Sequence, residues 1–278
     1  MTVKKTVKDI LKMKQLGMKI TVLTVYDAAM ARMLDACDID ILLVGDSLGM
    51  VVLGYNSTVP VTMEEMLHHA RAVSRGASQG LVVGDMPFGS YQSGLTDAVD
   101  NGIRFIKEAG CDAVKIEGGT EMCDVVRALI RGGVPVMGHI GLTPQTAGQL
   151  GGFKVQGRDI ESAHKLMADA KALAQAGVFS IVLECVPGPL ARVITQAINV
   201  PTIGIGAGVD CDGQVLVTND MLGLYEKFTP SFVKKYNNLA SQIKDAVISY
   251  RDEVVRGAYP AEEHTFASDM DFSSILDD

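Results

Sequence analysis

The chain has 278 residues, with 25 Lys+Arg against 33 Asp+Glu and a formal net charge of −8. Hydrophobic residues make up 47% and charged residues 21%, which excludes a disordered chain. The acidic balance argues against nucleic acid as the main partner, while leaving room for a small anionic substrate held by one or two placed cations.

No apolar run is long enough to span a membrane, so no membrane partner is expected. Met1 to Lys19 mixes Lys with Leu, Ile and Met at helical spacing and predicts an N-terminal helix, with Lys4, Lys5 and Lys8 on a solvated face. It lacks the apolar stretch of a secretory signal, and it is Arg-free and contains Asp9, unlike a mitochondrial presequence. Short β-rich runs then recur: Ile20–Tyr26, Ile41–Val44, Leu81–Gly84, Ala113–Ile116, Val134–Gly138, Ser180–Leu183, Thr202–Ile205 and Val215–Val217. Helical patterns separate most of them. Met63, Met66, Leu67, Ala70 and Val73 share a helix face behind a Thr62–Glu65 capping box, with Arg75–Gly76 as the stop. Met122, Val125, Val126, Leu129 and Ile130 form another face, ended by Gly132–Gly133. A long final helix is expected after Thr229–Pro230, with Phe232, Val233, Tyr236, Leu239, Ile243 and Val247 as its apolar face.

A weak repeat supports parallel topology. Ala109-Gly110 and Ala176-Gly177 each end a helix, and at the same interval the next strand ends in Glu117 or Glu184. Eight strand–helix units without a linker predict one closed (β/α)8 barrel over 1–265, with an acidic, aperiodic and loose tail over 266–278. The five cysteines (37, 111, 123, 185, 211) form no CxxC motif and no even framework, and read as reduced thiols of a cytosolic protein.

Charge at the end of apolar strands is the informative anomaly. The second strand runs into Gly45-Asp46-Ser47 and the third into Gly84-Asp85. The fourth ends in Lys115-Ile116-Glu117, the fifth runs into His139, and the sixth ends in Glu184. Lys115 and Glu117 are two apart and share a strand face. In such barrels the site lies at the C-terminal ends of the strands. Buried carboxylates need partners; Lys115 offsets one, and a hard divalent cation such as Mg²⁺ suits an all-oxygen set, with Asp46 and Asp85 as ligands. Taken singly, Asp46 or Asp85 can cap a turn, Lys115 and Glu117 can form a structural ion pair, His139 can bond a carbonyl, and Glu184 can cap the next helix. Gly204-Ile205-Gly206-Ala207-Gly208 lacks the spacing and following helix of a dinucleotide loop and reads as a rim loop. His68-His69 reads as a solvated helix face. Cys185 has no local base and does not read as a nucleophile.

These stretches together resemble the ketopantoate hydroxymethyltransferase family. The resemblance rests on Leu43–Met50, Gly84–Phe88, Val114–Gly119, Gly138–Gln145, Lys154–Arg158, Leu183–Pro187, Gly204–Gly208 with Asp212–Gln214, and Tyr259–His264, in order over residues 3–266. It implies a (β/α)8 barrel of the phosphoenolpyruvate/pyruvate superfamily. It also implies transfer of a hydroxymethyl group from 5,10-methylenetetrahydrofolate to 3-methyl-2-oxobutanoate, giving 2-dehydropantoate for pantothenate synthesis through an Mg²⁺-stabilised enolate. Asp46 and Asp85 would bind one Mg²⁺ per subunit, with Glu117 near it. Ser47, Asp46, Asp85 and Lys115 would hold the 2-oxo acid, and Glu184 would be the base. His139 is assigned to positioning substrate or water. Loops Pro87–Gly94 and Gly206–Gly213 are candidate walls for the folate. The family is cytoplasmic and forms homo-oligomers, commonly decamers. Two other readings remain: a related 2-oxo-acid C–C or C–P lyase or mutase, and a non-catalytic 2-oxo-acid-binding barrel. The first usually carries a Lys/Arg-Cys-Gly-His loop, which this sequence lacks.

Overall fold

The computed structural model describes residues 4–149, 151–152, 154–273 and 275. The first three residues of the expected N-terminal helix segment, and 274 and 276–278 of the expected loose tail, lie outside the described residues. Eight parallel strands close in chain order, β1 (Ile20–Thr24), β2 (Ile41–Val44), β3 (Leu81–Asp85), β4 (Ala113–Glu117), β5 (Val136–Gly141), β6 (Ser180–Glu184), β7 (Thr202–Ile205) and β8 (Gly213–Leu216), and β8 pairs back with β1. The helices are α1 (Val7–Gln15), α2 (Ala28–Asp35), α3 (Leu48–Val51), α4 (Met63–Gly76), α5 (Leu95–Lys107), α6 (Cys123–Arg131), α7 (Ile160–Ala176), α8 (Gly188–Ala197), α9 (Thr218–Met221) and α10 (Leu239–Val255).

Period-two alternation sorts the strand side chains into two cores. Leu42, Val44, Val82, Val114, Ile116, Ile181 and Leu183 face outward against the helices. Ile20, Val22, Ile41, Leu43, Leu81, Val83, Met137, Val182 and Ile203 fill the barrel itself. The inward parity of Leu81 and Val83 continues to Asp85, that of Ala113 to Lys115 and Glu117, that of Met137 to His139, and that of Val182 to Glu184. An apolar lumen at the base therefore gives way to a polar mouth.

α1 closes the base. Ile10 and Met13 enter the apolar lumen. The expected solvated face holds for Lys8, which is exposed, and is corrected for Lys4, which pairs with Asp112 at 2.7 Å, and Lys5, which pairs with Asp40. Lys14 adds a pair with Asp212 at 2.8 Å. These aspartates stand where the sheet begins, and each also accepts a strand N–H, from Val82, Thr21 and Thr202 respectively.

The local helix signals hold. Thr62 and Glu65 cap α4 reciprocally, α6 stops at Gly132, and Gly177 ends α7 at φ 104. The final helix differs: α10 begins at Leu239, not after Pro230. Residues 230–238 fold back on α9, with Tyr236 N donating to Met221 O at 2.8 Å and Leu239 N to Leu222 O at 3.0 Å. Those groups are taken from any i→i−4 ladder. Gly223 permits the approach, since its φ is +67 and a Cβ there would meet Asn237 O. Of the expected apolar face, Ile243 and Val247 are exposed, and Ala240 is the buried residue of α10.

The β7–β8 connection carries no helix. Both strands are parallel, so residues 206–212 must return from mouth to base. Asp212 is already at the base, bonded to Lys14 and Thr202. Only the first part of the expected folate wall at Gly206–Gly213 lies at the mouth. Among the described residues, no helix is long and apolar enough to cross a membrane. All five cysteines are free.

Candidate active site

Asp46, Asp85, Lys115, Glu117 and His139 are each at most 4% exposed and meet at the C-terminal rim of the barrel. Lys115 is the hub. Its Nζ lies 2.9 Å from Asp85 Oδ1, 3.1 Å from His139 Nδ1 and 3.7 Å from Glu117 Oε1. Desolvation opposes the ammonium, but the surrounding carboxylates win and hold its pKa above the ordinary lysine value. Burial drives Asp85 the other way, up to about 7 despite Lys115, and raises Glu117 well above the carboxylate range. Three carboxylates around one lysine are thus short of positive charge.

Burial and the Lys115 charge both lower the pKa of His139, so the ring is neutral. Lys115 has only protons to offer, so Nδ1 accepts and the ring proton is assigned to Nε2. Nε2 lies 3.2 Å from Glu184 Oε2. The approach lacks the alignment of a full hydrogen bond, and Nε2 has no other partner. Lys115, His139 and Glu184 form a chain from the polar hub to the mouth, where the Glu184 side chain is 16% exposed. Ser47 Oγ lies 2.9 Å from Tyr26 OH, which donates to Thr24 Oγ1 at 2.8 Å.

Lys115 and Glu117 do form an ion pair, as one of the plain structural alternatives expects, but the turn-cap, helix-cap and carbonyl alternatives for the other residues do not hold. Asp46 Oδ2 accepts from Gln145 Nε2 at 2.9 Å, and Asp85 Oδ2 accepts from Asp46 N at 3.3 Å, so neither carboxylate caps its own turn. Glu184 does not cap α8, whose N-cap is Pro187 and which has no side-chain cap. His139 faces Lys115 and Glu184 rather than a carbonyl. His69, expected in solvent, places Nδ1 2.6 Å from Tyr26 O. Cys185 sits at φ 50, and its burial, reinforced by Glu184, pushes the thiol up to about 11, unlike a nucleophile.

Two buried residues escaped the sequence reading, Gln145 and Tyr91. Gln145 stands on the turn after β5 and Tyr91 in the loop after β3. Tyr91 OH donates to Gln145 Oε1 at 2.7 Å and accepts from Glu117 N at 3.1 Å. The signal was present, since Gln145 closes one recognised motif and Tyr91 lies in a candidate folate wall.

The donor set suits a hard cation without forming a cage. Among the described residues, no three His, Cys, Asp or Glu side chains converge as a ready-made ion site. Mg²⁺ needs less, typically one or two carboxylates, with water and substrate oxygens filling its shell. Asp46 and Asp85 offer oxygens of that type and number at the rim, both buried.

The sequence pattern of ketopantoate hydroxymethyltransferase matches residues 4–262. The chain belongs to the ketopantoate hydroxymethyltransferase family. A 3-methyl-2-oxobutanoate hydroxymethyltransferase from Desulfotalea psychrophila (strain LSv54 / DSM 12343) is 62% identical over 98% of each chain. One from Syntrophus aciditrophicus (strain SB) is 59% identical over 91% of this chain and 93% of its own. The solved 2,3-dimethylmalate lyase, a PEP mutase/isocitrate lyase superfamily member, aligns at TM-score 0.57 and 14% identity, covering 98% of this chain and 93% of its own. That likeness is one of fold alone.

Proposed function

We propose that the protein transfers a hydroxymethyl group from 5,10-methylenetetrahydrofolate to 3-methyl-2-oxobutanoate, forming 2-dehydropantoate. The observation that carries this reading is the line Lys115–His139–Glu184, which joins a buried cation among carboxylates to an accessible carboxylate at the mouth. On this reading residues 1–265 form the catalytic unit, and the acidic segment 266–278 takes no part in the reaction.

Asp46 and Asp85 would hold one Mg²⁺, with Glu117 near it. When bound, the cation supplies positive charge to the carboxylate and keto oxygens of the 2-oxo acid. Ser47, Asp46, Asp85 and Lys115 orient that acid. Lys115 places its ammonium where oxyanion charge collects as the C3 proton leaves. Glu184 takes that proton, and the Nε2 proton of neutral His139 steadies the carboxylate between cycles. The carbanion carbon then attacks the one-carbon unit of the folate. The carbon–nitrogen bonds to the folate break, water supplies the hydroxyl oxygen and returns a proton to the folate nitrogen, and 2-dehydropantoate and tetrahydrofolate leave. Loop Pro87–Gly94 and the rim around Gly206–Gly208 would wall the folate, with the 44%-exposed Phe88 at the loop tip. The acidic chain and reduced cysteines suit the cytoplasm. Exposed apolar residues on α10 support a homo-oligomer, a decamer by family resemblance.

The test is proton NMR of the protein with 3-methyl-2-oxobutanoate and Mg²⁺ in D₂O, with and without the folate. The C3 signal should disappear when metal is present, and 2-dehydropantoate should appear only with folate. In Glu184→Gln the exchange should slow by roughly 10²–10⁴-fold, the usual worth of a general base. Full exchange in that variant removes Glu184 from the mechanism. Binding without exchange in the unmutated protein favours a non-catalytic 2-oxo-acid barrel.

A further inference from the structure

Gln145 is 3% exposed and has hydrogen-bond partners on both side-chain polar atoms and on its backbone N–H. Its Nε2 donates to Asp46 Oδ2 and to Met86 O, both at 2.9 Å. Its Oε1 accepts from Tyr91 OH, and its backbone N donates to Glu117 Oε2 at 3.0 Å. The amide has one orientation. Reversed, its oxygen would face a carboxylate and a carbonyl, two acceptors, with no proton between them. Tyr91 reinforces this, because its hydroxyl donates to Gln145 while accepting from Glu117 N.

The consequence falls on the carboxylates. Asp46 from the end of β2 and Glu117 from β4 are each gripped on one oxygen by the same residue. Asp85 is gripped likewise, its Oδ2 accepting from Asp46 N. The second oxygens are left for charge: Asp85 Oδ1 and Glu117 Oε1 face Lys115, and Asp46 Oδ1 has no protein partner among the described residues. A lysine at 145 could not accept from Tyr91, and a glutamate would repel Asp46. A neutral residue that both donates and accepts fits the position.

We propose that Gln145 is a positioning residue that selects which oxygens of Asp46 and Glu117 face the cation and the 2-oxo acid, with Tyr91 fixing its amide and linking it to the loop after β3. The proposal rests on the metal reading above. Its test uses Mn²⁺ alone, without substrate or folate, and reads the dissociation constant by electron paramagnetic resonance alongside circular dichroism and melting temperature. Gln145→Leu keeps the bulk and removes both donor and acceptor. It should weaken Mn²⁺ binding by roughly 10–100-fold, as loss of a ligand's supporting hydrogen bond does. Tyr91→Phe removes one oxygen and should weaken binding in the same direction by about threefold or more, the worth of a single hydrogen bond. A merely structural role would lower the melting temperature and leave the dissociation constant unmoved. Folded variants with the unmutated affinity overturn the proposal, and if Gln145→Leu fails to fold, Tyr91→Phe decides alone. No Mn²⁺ binding by the unmutated protein is a different failure, which removes the metal reading and the proposal with it.

Discussion

A buried carboxylate without a partner costs the fold more as the charge than as the acid. Asp220 in α9 is such a group: it is 7% exposed and its Oδ1 has no hydrogen-bond partner. Burial pushes its pKa from 3.8 up to about 6, against a lowering by Lys235. Below about pH 4 both folded and unfolded chains hold the proton, and there is no penalty. Between those two values the unfolded chain has released it while the folded chain keeps it, so stability falls as pH rises. Above about pH 6 the penalty is complete. Asp220→Asn is therefore expected to raise Tm at pH 8 and to change it little at pH 4, read by thermal unfolding. An equal shift at both pH values would show that charge is not the cause. At this scale the sequence was legible where charge interrupted an apolar run, as at Asp85, Lys115 and Glu184. It was not legible at Gln145 and Tyr91, which carry no charge. Their meaning lies in contacts 54 and 99 residues apart along the chain, and no local pattern records such contacts.

Elements were legible where their causes are local. Strand alternation, the Thr62–Glu65 box and the glycine stops all act within a few residues. The destination of α1 was not local: its helical spacing was visible, but its insertion into the barrel lumen depends on eight strands closing elsewhere. The start of α10 failed for the same reason, since Pro230 and the periodicity around it satisfy a helix, yet hydrogen bonds to α9 claim the backbone. The role of α1 gives a direct prediction. Ile10 is fully buried among lumen side chains. Ile10→Ala should cost about 2–5 kcal/mol, as truncation of a large core residue does, measured by urea unfolding at fixed protein concentration. Because base and mouth are opposite ends of the barrel, the folded variant should bind Mn²⁺ normally. A loss below about 0.5 kcal/mol would mean that α1 rests on the barrel without plugging it.

At the scale of the molecule, exposed large apolar side chains are scattered over many elements, but α10 gathers more of them than any other described element. Ile243, Val247, Ile248, Tyr250, Val254 and Val255 are each at least 45% exposed on this one helix. Monomeric soluble proteins rarely leave a contiguous apolar patch larger than a few hundred Å² in water. The periodicity that predicts a packed helix finds no burial within the chain at Ile243 and Val247, and on the homo-oligomer proposal a second copy would cover them. With a net charge of −8, copies repel at long range, so on the homo-oligomer proposal association would rest on apolar contact at short range. Light scattering coupled to size exclusion should give a mass several times 29.6 kDa, ten times for a decamer. Val247→Asp with Val254→Asp places two charges on that face and should lower the mass while the circular dichroism stays that of a folded barrel. A 29.6 kDa species from the unmutated protein would end the oligomer reading. An undiminished mass in the double variant would move the interface away from α10, leaving its exposed face without a physical account.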